Sequence, residues 1–299
     1  MIQNNIINSF FIIVILGLMV LSCQYLTDNT IPLDYFPHGV ASGDPSKTDV
    51  VLWTRLNTSD DKVIKKVAWE ISLDKDFSSI TNSGKALVKK ENDYCIKVIP
   101  DQLKPDTFYY YRFAYNQQYS KTGRTKTLPS NTSNVKIGVI NCAKYTGGYY
   151  HAYEALANMD DIDVVIHLGD YIYESGAAKK GDSYWPSVQA TGRQHDPLHE
   201  CLSLDDYRTR YAQYHKDTSL QKLHARFPMI TIWDDHEIAM KPLKELKNGE
   251  IEYNGDWEGR KNNSIKAYHE WLPLRPEAFE NIYRSFQFGN VVNLLMLDT

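Results

Sequence analysis

The sequence predicts two domains, an all-β sandwich followed by an α/β domain. Short alternating segments separated by turn residues run to about residue 128, and strand, loop and helix patterns follow from residue 134. A third observation is the β-branched run at 164–166, which suits a buried parallel strand and ends in Gly169-Asp170. A chain of 299 residues is long enough for both domains.

The first domain is predicted over residues 35–128. Its alternating segments lie at 50–55 (VVLWTR), 66–73 (KVAWEISL), 94–99 (YCIKVI) and 107–115 (TFYYYRFAY). This spacing indicates a sandwich of the immunoglobulin or fibronectin type III class. The aromatic residues could serve carbohydrate binding, but such a stripe is far more often core. Nothing in this domain predicts catalysis.

The second domain is predicted over residues 134–299. A strand at 135–140 leads into Cys142, a helix follows near 150–159, and a strand at 164–167 leads into Asp170. In such a βαβ unit the two strand ends lie side by side. Later strands at 229–233 and 291–297 end in DDHE and in Asp298.

Several strands therefore deliver a Cys, Asp or His at what we expect to be the same edge. Ligands collect at the carboxyl ends of strands in open α/β sheets, and hard cations need converging oxygen and nitrogen donors. Asp170 alone could merely cap a turn or a helix. Because a Cys, Asp or His follows each of these strands, the pattern favours a metal-centred hydrolase site instead.

The N-terminus predicts export. Residues 10–21 form an apolar run that is too short for a comfortable membrane span, and Ser22-Cys23 follows it. We interpret residues 1–23 as a lipoprotein signal peptide, with a plain membrane anchor as the alternative. The mature protein is then periplasmic or at the cell surface, lipid-anchored through Cys23. The net charge of −4 predicts no nucleic-acid partner.

Motifs along the chain carry a family resemblance. They are 36–45 (FPHGVASGDP), 51–55 (VLWTR), 167–174 (HLGDYIYE), 204–208 (LDDYR), 233–237 (WDDHE), 283–286 (YRSF) and 297–299 (LDT). In this order they resemble the alkaline phosphatase D family of calcineurin-like metallophosphoesterases. The resemblance runs from residue 37 onward and implies an αββα sandwich for the second domain.

The resemblance also implies a metal site. It assigns Cys142 and Tyr173 to a ferric ion (Fe3+), Asp170 to a bridge between two metals, and Asp235 to calcium (Ca2+). The donor types suit these ions, because thiolate and phenolate hold trivalent iron and calcium prefers carboxylate oxygen.

Catalytic roles follow from the same resemblance. His236 is the candidate for contacting the phosphate or protonating the leaving oxygen, and Arg208 for neutralising phosphate charge. For Arg208 the alternative is a surface helix residue paired with Asp205. We expect three further residues, in the segment RQHDPLHE, to line the mouth of the site: His195, His199 and Glu200.

We therefore expect a phosphoric ester hydrolase that acts on small phosphomonoesters or phosphodiesters. Family members continue beyond the LDT segment through a Gly-Asp-x-His motif, so we expect the chain to be incomplete at its C-terminus and a poor catalyst by itself. Two alternatives stay open. One is an inactive truncated or split-gene product with a complementing C-terminal fragment, and the other is a surface binding module that relies on the β-sandwich.

We predict that the mature protein begins at a lipidated Cys23, because a small residue and a cysteine follow the apolar run directly. The native protein should enter the detergent phase on Triton X-114 partitioning, and Cys23→Ala should stay in the aqueous phase. Unchanged partitioning of Cys23→Ala would exclude the lipid anchor.

Overall fold

The computed structural model describes residues 33–58, 64–239, 244–247, 250–253, 256–279 and 281–298. The predicted signal peptide, including Cys23, lies outside these residues. Residues Tyr35–Thr299 belong to one unit of internal contacts. Within the described ranges, none of the helices has the length and hydrophobicity that a membrane span requires.

The main sheet has six strands and is mixed. In spatial order they are β5 (Cys95–Val98), β2 (Val51–Arg55), β1 (Val40–Gly43), β11 (Pro228–Thr231), β10 (Val164–His167) and β9 (Ile137–Ile140). Strands β1, β11, β10 and β9 pair in parallel, whereas β2 pairs antiparallel with both β1 and β5. The carboxyl ends of β9, β10 and β11 therefore meet at one edge, where the predicted site residues follow.

A second sheet packs beside the first half of the main sheet. Its strands, in spatial order, are β4 (Ile80–Leu87), β3 (Lys66–Ser72), β6 (Phe108–Tyr115) and β7 (Gln118–Tyr119), and β8 (Gly123–Lys126) also pairs with β6. Two separate hairpins follow later in the chain. They are β12 (Lys244–Lys247) with β13 (Glu250–Tyr253), and β14 (Arg284–Phe288) with β15 (Val292–Met296).

Six α-helices cover the sheets in the described part of the chain. They are α1 (His151–Ala157), α2 (Trp185–Thr191), α3 (Leu204–His215), α4 (Thr218–Arg226), α5 (Asp235–Ile238) and α6 (Trp257–Trp271). Helix α3 begins at Ser203, whose hydroxyl forms a capping box with Asp206. Helix α4 begins at Asp217, whose carboxylate accepts hydrogen bonds from the first turn.

Strands β1 and β2 are buried on both faces. Val40 and Leu52 point into a smaller core between the two sheets, whereas Ala41 and Trp53 point into the larger core of the α/β part. Because side chains alternate along a strand, each strand contributes to both cores. The buried residues of the smaller core all lie between residues 36 and 113, so the N-terminal part has a core of its own. Ala41 and Trp53 also contribute to the larger core, and β1 joins β11 in one sheet.

The predicted strands of the second domain are present, but one pairs differently. Strand β15 pairs antiparallel with β14 in a separate hairpin and does not join the main sheet. Strand β15 therefore does not extend the parallel strands β9–β11. The carboxylate of Asp298 instead accepts a hydrogen bond of 2.7 Å from the Trp233 indole. Periodicity identifies a strand but does not identify its partner.

Trp53 connects the N-terminal strands to the larger core. Its side chain is fully buried, and its Nε1 donates a hydrogen bond of 2.8 Å to the carbonyl of Glu270 in α6. We expect Trp53→Ala to lower the free energy of unfolding by about 3–5 kcal/mol. The partly buried Trp69→Ala should cost less. Urea unfolding should detect the difference in a single transition, and a protease-resistant fragment of residues 35–128 would contradict a shared core.

Buried histidines hydrogen-bonded to tyrosines lie in the larger core. The Tyr171 hydroxyl lies 3.1 Å from His215 Nε2 and 2.7 Å from His224 Nε2, and the two imidazoles stack at 5.4 Å. The Tyr153 hydroxyl similarly lies 3.1 Å from His167 Nε2. Desolvation lowers the pKa of His167 and of His224 to about 3 and that of His215 well below 6.5.

We therefore expect stability to decrease with acid. Each of these imidazoles has a folded pKa below its unfolded value, so the unfolded chain takes up protons first as the pH falls below about 6.5. Each should contribute a loss of about 1.4 kcal/mol per pH unit in that range. Urea unfolding at pH 7 to 5 should show a shallower dependence for His224→Gln, and the same dependence for the exposed His199→Gln. Equal slopes for wild type and His224→Gln would contradict this assignment.

Candidate metal centre

Three loops form the site at the carboxyl edge of β9, β10 and β11. The loops after β9 and β10 are joined by backbone bonds from Cys142 N to Gly169 O (3.2 Å) and from Ala143 N to Asp170 O (3.3 Å). Cys142 and Asp170 both adopt φ +54°. Gly169 has φ +95°, and a Cβ there would lie 2.5 Å from the backbone nitrogen of Asp234. The loops after β10 and β11 approach this closely only because residue 169 is glycine.

The predicted metal ligands converge at this edge. Asp170, Asp235 and His236 each offer a ligand atom, and these atoms all lie within 4.8 Å of one another. The Tyr173 hydroxyl donates a hydrogen bond of 2.9 Å to Asp170 Oδ2, and the Tyr173 ring lies 4.1 Å from the His236 ring. Cys142 lies in the loop after β9, whose backbone is hydrogen-bonded to the carbonyls of Gly169 and Asp170. The structure thus places all five residues in one neighbourhood.

The donor set fits a cation. Asp170 is buried, and its Oδ1 has no hydrogen-bond partner among the described residues. A buried carboxylate oxygen without a donor is costly unless a positive charge offsets it. Thiol, phenol, carboxylate and imidazole groups surround this oxygen, and together they are ligand types that transition metals and calcium accept.

Without a bound metal, the Cys142 thiol and the Tyr173 phenol beside Asp170 keep their protons. Desolvation and the Asp170 carboxylate raise the pKa of the Cys142 thiol to about 11. Burial and the same carboxylate raise the pKa of Tyr173 above its usual value. A bound cation reverses both effects, because it favours thiolate and phenolate. Metal binding by these residues therefore releases protons.

His236 is oriented by a carboxylate that the sequence analysis did not single out. Its Nδ1 lies 2.6 Å from Glu174 Oε2, and both side chains are largely buried. Desolvation acts to lower the pKa of His236, but the hydrogen bond and charge of Glu174 outweigh it and raise the pKa overall. With Nδ1 held in this way, Nε2 is left for a substrate.

Two further supporting residues escaped the sequence analysis. The buried carboxylate of Glu237 accepts hydrogen bonds from the backbone of Asp170 (3.0 Å), Tyr171 and Asp234 (2.7 Å). Burial raises its pKa to about 8 although the backbone bonds oppose the shift. The Asp-x-x-Glu spacing of a capping box was its signal in the sequence. The fully buried Arg210 donates to the carbonyls of Tyr173 and Ser175 and so fixes the Tyr173 loop.

Arg208 contacts other residues. Its guanidinium forms two hydrogen bonds of 2.7 Å with Glu270, lies 3.6 Å from Asp205, and donates to the carbonyl of Glu91. None of these partners belongs to the metal-ligand cluster. These contacts favour the structural role that we weighed for Arg208, with Glu270 rather than Asp205 as its main partner.

The three residues expected at the mouth of the site divide into two groups. His195 is buried, with Nδ1 2.7 Å from the Ser175 carbonyl and Nε2 3.3 Å from the Tyr214 hydroxyl. His199 and Glu200 line an open groove of about 890 Å³ beside the site. His195 therefore supports the loop that contains Ser175, whereas His199 and Glu200 face the solvent-accessible groove.

Comparisons with known proteins identify the family that the chain is similar to. The family model "PhoD-like phosphatase" matches residues 137–299, and the model "PhoD-like phosphatase, N-terminal domain" matches residues 24–129. Alkaline phosphatase D of Bacillus subtilis (strain 168) is 36% identical over 280 residues, which are 88% of this chain and 46% of that protein.

A solved structure is similar to this chain in both fold and sequence. The structure described as "Structure of PhoD" matches with a TM-score of 0.77 and 35% identity, over 88% of this chain and 52% of that one. The chain thus spans about half the length of the relatives that it matches. The resemblance inferred from the motifs is confirmed: the chain belongs to the PhoD-like phosphatase family.

Proposed function

We propose that this chain carries the metal-binding part of a phosphoric ester hydrolase that acts on phosphomonoesters or phosphodiesters. The observation that carries the proposal is the buried, unpartnered Oδ1 of Asp170 within a cluster of thiol, phenol, carboxylate and imidazole donors. Such a cluster can hold metal ions beside a bound phosphate. The similarity to alkaline phosphatase D supports the same reaction class.

The donor types support a ferric ion and a calcium ion as the metals. Cys142 and Tyr173 would hold Fe3+, Asp235 would hold Ca2+, and Asp170 would contact both. When bound, the metals activate water as the nucleophile and neutralise charge on the phosphate oxygens. Gly169 and the left-handed conformation of Asp170 keep the Asp170 carboxylate at the strand end.

His236 is the proton donor in this proposal. Glu174 holds Nδ1 and raises the pKa, so the protonated imidazole persists to higher pH and can supply a proton from Nε2 to the leaving oxygen. Arg208 was the second catalytic candidate, with the role of neutralising charge on the phosphate. Its guanidinium is engaged by Glu270, which leaves it a weaker candidate for neutralising phosphate charge.

Three further features belong to the proposal. We propose that the protein is exported and anchored through a lipid on Cys23, on the strength of the N-terminal sequence. The first two sheets, packed around the smaller core, support an immunoglobulin- or fibronectin-like sandwich for the N-terminal part. Hairpin β14–β15 buries Phe286, Phe288 and Met296 in the larger core, which supports an αββα arrangement for the rest.

The test of the proposal combines metal content with activity. Purified protein should contain iron and calcium by mass spectrometry. It should hydrolyse 4-nitrophenyl phosphate or bis(4-nitrophenyl) phosphate slowly, as expected of a poor catalyst, yet faster than the metal-free protein does. Removal of the metals with a chelator should abolish turnover, and their return should restore it. A protein that binds no metal and cleaves neither ester would refute the proposal.

In a complete version of the protein, we predict that Asp170→Asn loses far more activity than Arg208→Ala. Asp170 is the one carboxylate that would contact both metals. Its replacement should therefore lower the amount of bound metal and reduce kcat/KM by at least about a hundredfold. Arg208→Ala should lower kcat/KM by less than about tenfold, because its partner Glu270 lies outside the cluster. Asp205→Asn, the same substitution at an exposed carboxylate, is the matched control. Similar losses in Asp170→Asn and Arg208→Ala would contradict the assignment.

A further inference from the structure

A pocket of about 340 Å³ lies between the second sheet and the helices α1 and α4. None of the candidate metal ligands lines it. Its lining contains four cationic side chains and no carboxylate; the cations are Lys75, Arg124, Lys222 and Arg226. A recess with this concentration of positive charge favours an anionic ligand.

Secondary structure brings the four cations together. Arg124 lies opposite Tyr110 in the pairing of β8 with β6, so both side chains lie on the same face of the second sheet. Lys75 follows β3, the strand that pairs with β6 along its other edge. Lys222 and Arg226 are four positions apart in α4 and therefore lie on one face of that helix. The pocket thus forms where a sheet face meets a helix face.

The fold itself accounts for two of the cations. Arg226 lies 2.5 Å from the carboxylate of Asp160, and Lys222 pairs with Glu154. Both lysine and arginine also complement the helix dipole, because they lie in the second half of α4. The Asp160 side chain is 92% exposed, and ion pairs of such exposed groups are weak. A ligand can therefore still use the charge of Lys222 and Arg226.

The other two cations lack a counter-charge. Within the described ranges, neither Arg124 nor Lys75 has a carboxylate within ion-pair distance. Arg124 Nε donates a hydrogen bond of 3.3 Å to the carbonyl of Arg226, but its buried Nη2 has no partner there. Burial, followed by the charge of Arg226, lowers the pKa of Arg124 from its usual value. An anion in the pocket would offset this uncompensated charge.

The guanidinium of Arg124 is also held in place before any ligand arrives. Its central carbon lies 4.5 Å from the ring centroid of Phe108 and 5.3 Å from that of Phe227. Contacts with aromatic rings restrict the side chain without using its N–H donors. Less conformational entropy is therefore lost when an anion binds.

We propose that this pocket binds a phosphoryl anion, which is inorganic phosphate or the phosphoryl group of a small organic phosphate. Arg124 and Lys75 donate charge-assisted hydrogen bonds to its oxygens, and their two charges balance a phosphoryl dianion. Lys222 and Arg226 add positive charge from the helix side. The inference goes beyond the proposed function, because the metal-ligand cluster has no part in this site. The ligand contacts the second sheet and α4 at once, so its binding stabilises the folded chain.

The test measures binding of inorganic phosphate to the full chain by calorimetry. Asp170→Asn serves as the background, because it disables the metal centre, where phosphate would also bind. This variant should still bind phosphate, with an affinity that falls as sodium chloride is added. Adding Lys75→Met should weaken the affinity about tenfold, the effect of one charge-assisted hydrogen bond. Adding Lys85→Met removes the same charge from an exposed position of the same sheet outside the pocket, and should change the affinity less than twofold.

The outcomes keep this site distinct from the metal centre. If Asp170→Asn binds no phosphate, or if Lys75→Met and Lys85→Met have equal affinities, the inference is overturned while the proposed function stands. A protein that cleaves no ester but binds phosphate in a Lys75-dependent manner would uphold the site and refute the proposed function. Lys75 is exposed, so its replacement should leave the fold intact, which thermal unfolding can verify.

A lipid headgroup presents the same phosphoryl chemistry on a membrane. Vesicles that contain phosphatidic acid distinguish the two sources. Sedimentation with these vesicles that depends on Lys75, without binding of free phosphate, would overturn the assignment of a soluble ligand. Binding of free phosphate that depends on Lys75 upholds it.

Discussion

The loops that carry the candidate metal ligands depend on one buried carboxylate. Glu237 accepts hydrogen bonds from the backbone of Asp170 and Tyr171 in the loop after β10 and of Asp234 in the loop after β11. These bonds hold two loops at a fixed separation, and the absence of a side chain at Gly169 allows the approach. The orientation of the Asp170 carboxylate follows from this arrangement. Glu237 binds no ligand in our assignment, yet the ligands converge because of it.

The N-terminal half is part of the same framework. Strand β1 pairs in parallel with β11, the strand that leads into Asp235 and His236, so β1 and its neighbours β2 and β5 extend the sheet that carries the site. Trp53 adds a link from β2 to helix α6. Two regions that match separate family models are therefore joined by backbone hydrogen bonds and by a shared core. Loss of packing in the first region weakens support for the second.

The cluster is also a set of coupled proton sites. In the protein alone, the Tyr173 hydroxyl donates to Asp170, and the Cys142 thiol keeps its proton beside the same carboxylate. A cation held at the unpartnered Oδ1 of Asp170 would supply positive charge in place of those protons. His236 differs from these groups, because the neighbouring Glu174 carboxylate favours its protonated, positively charged form. Groups that would release protons on binding a metal thus lie beside an imidazole that retains one.

The sequence by itself determined what depends on local pattern. Alternation and β-branched runs placed β9, β10 and β11, and position at a strand end nominated Cys142, Asp170 and Asp235, because the carboxyl ends of parallel strands face one edge. Motif order also identified the family. Tertiary structure alone decided which strands pair, so that β1 joins β11 and β15 joins β14. It likewise directed Arg208 to Glu270, 62 positions along the chain, and Glu237 to the backbone of Asp170, 67 positions away. Local periodicity has no information about such distant partners, because they are chosen by packing and by the need of each buried charge for a donor.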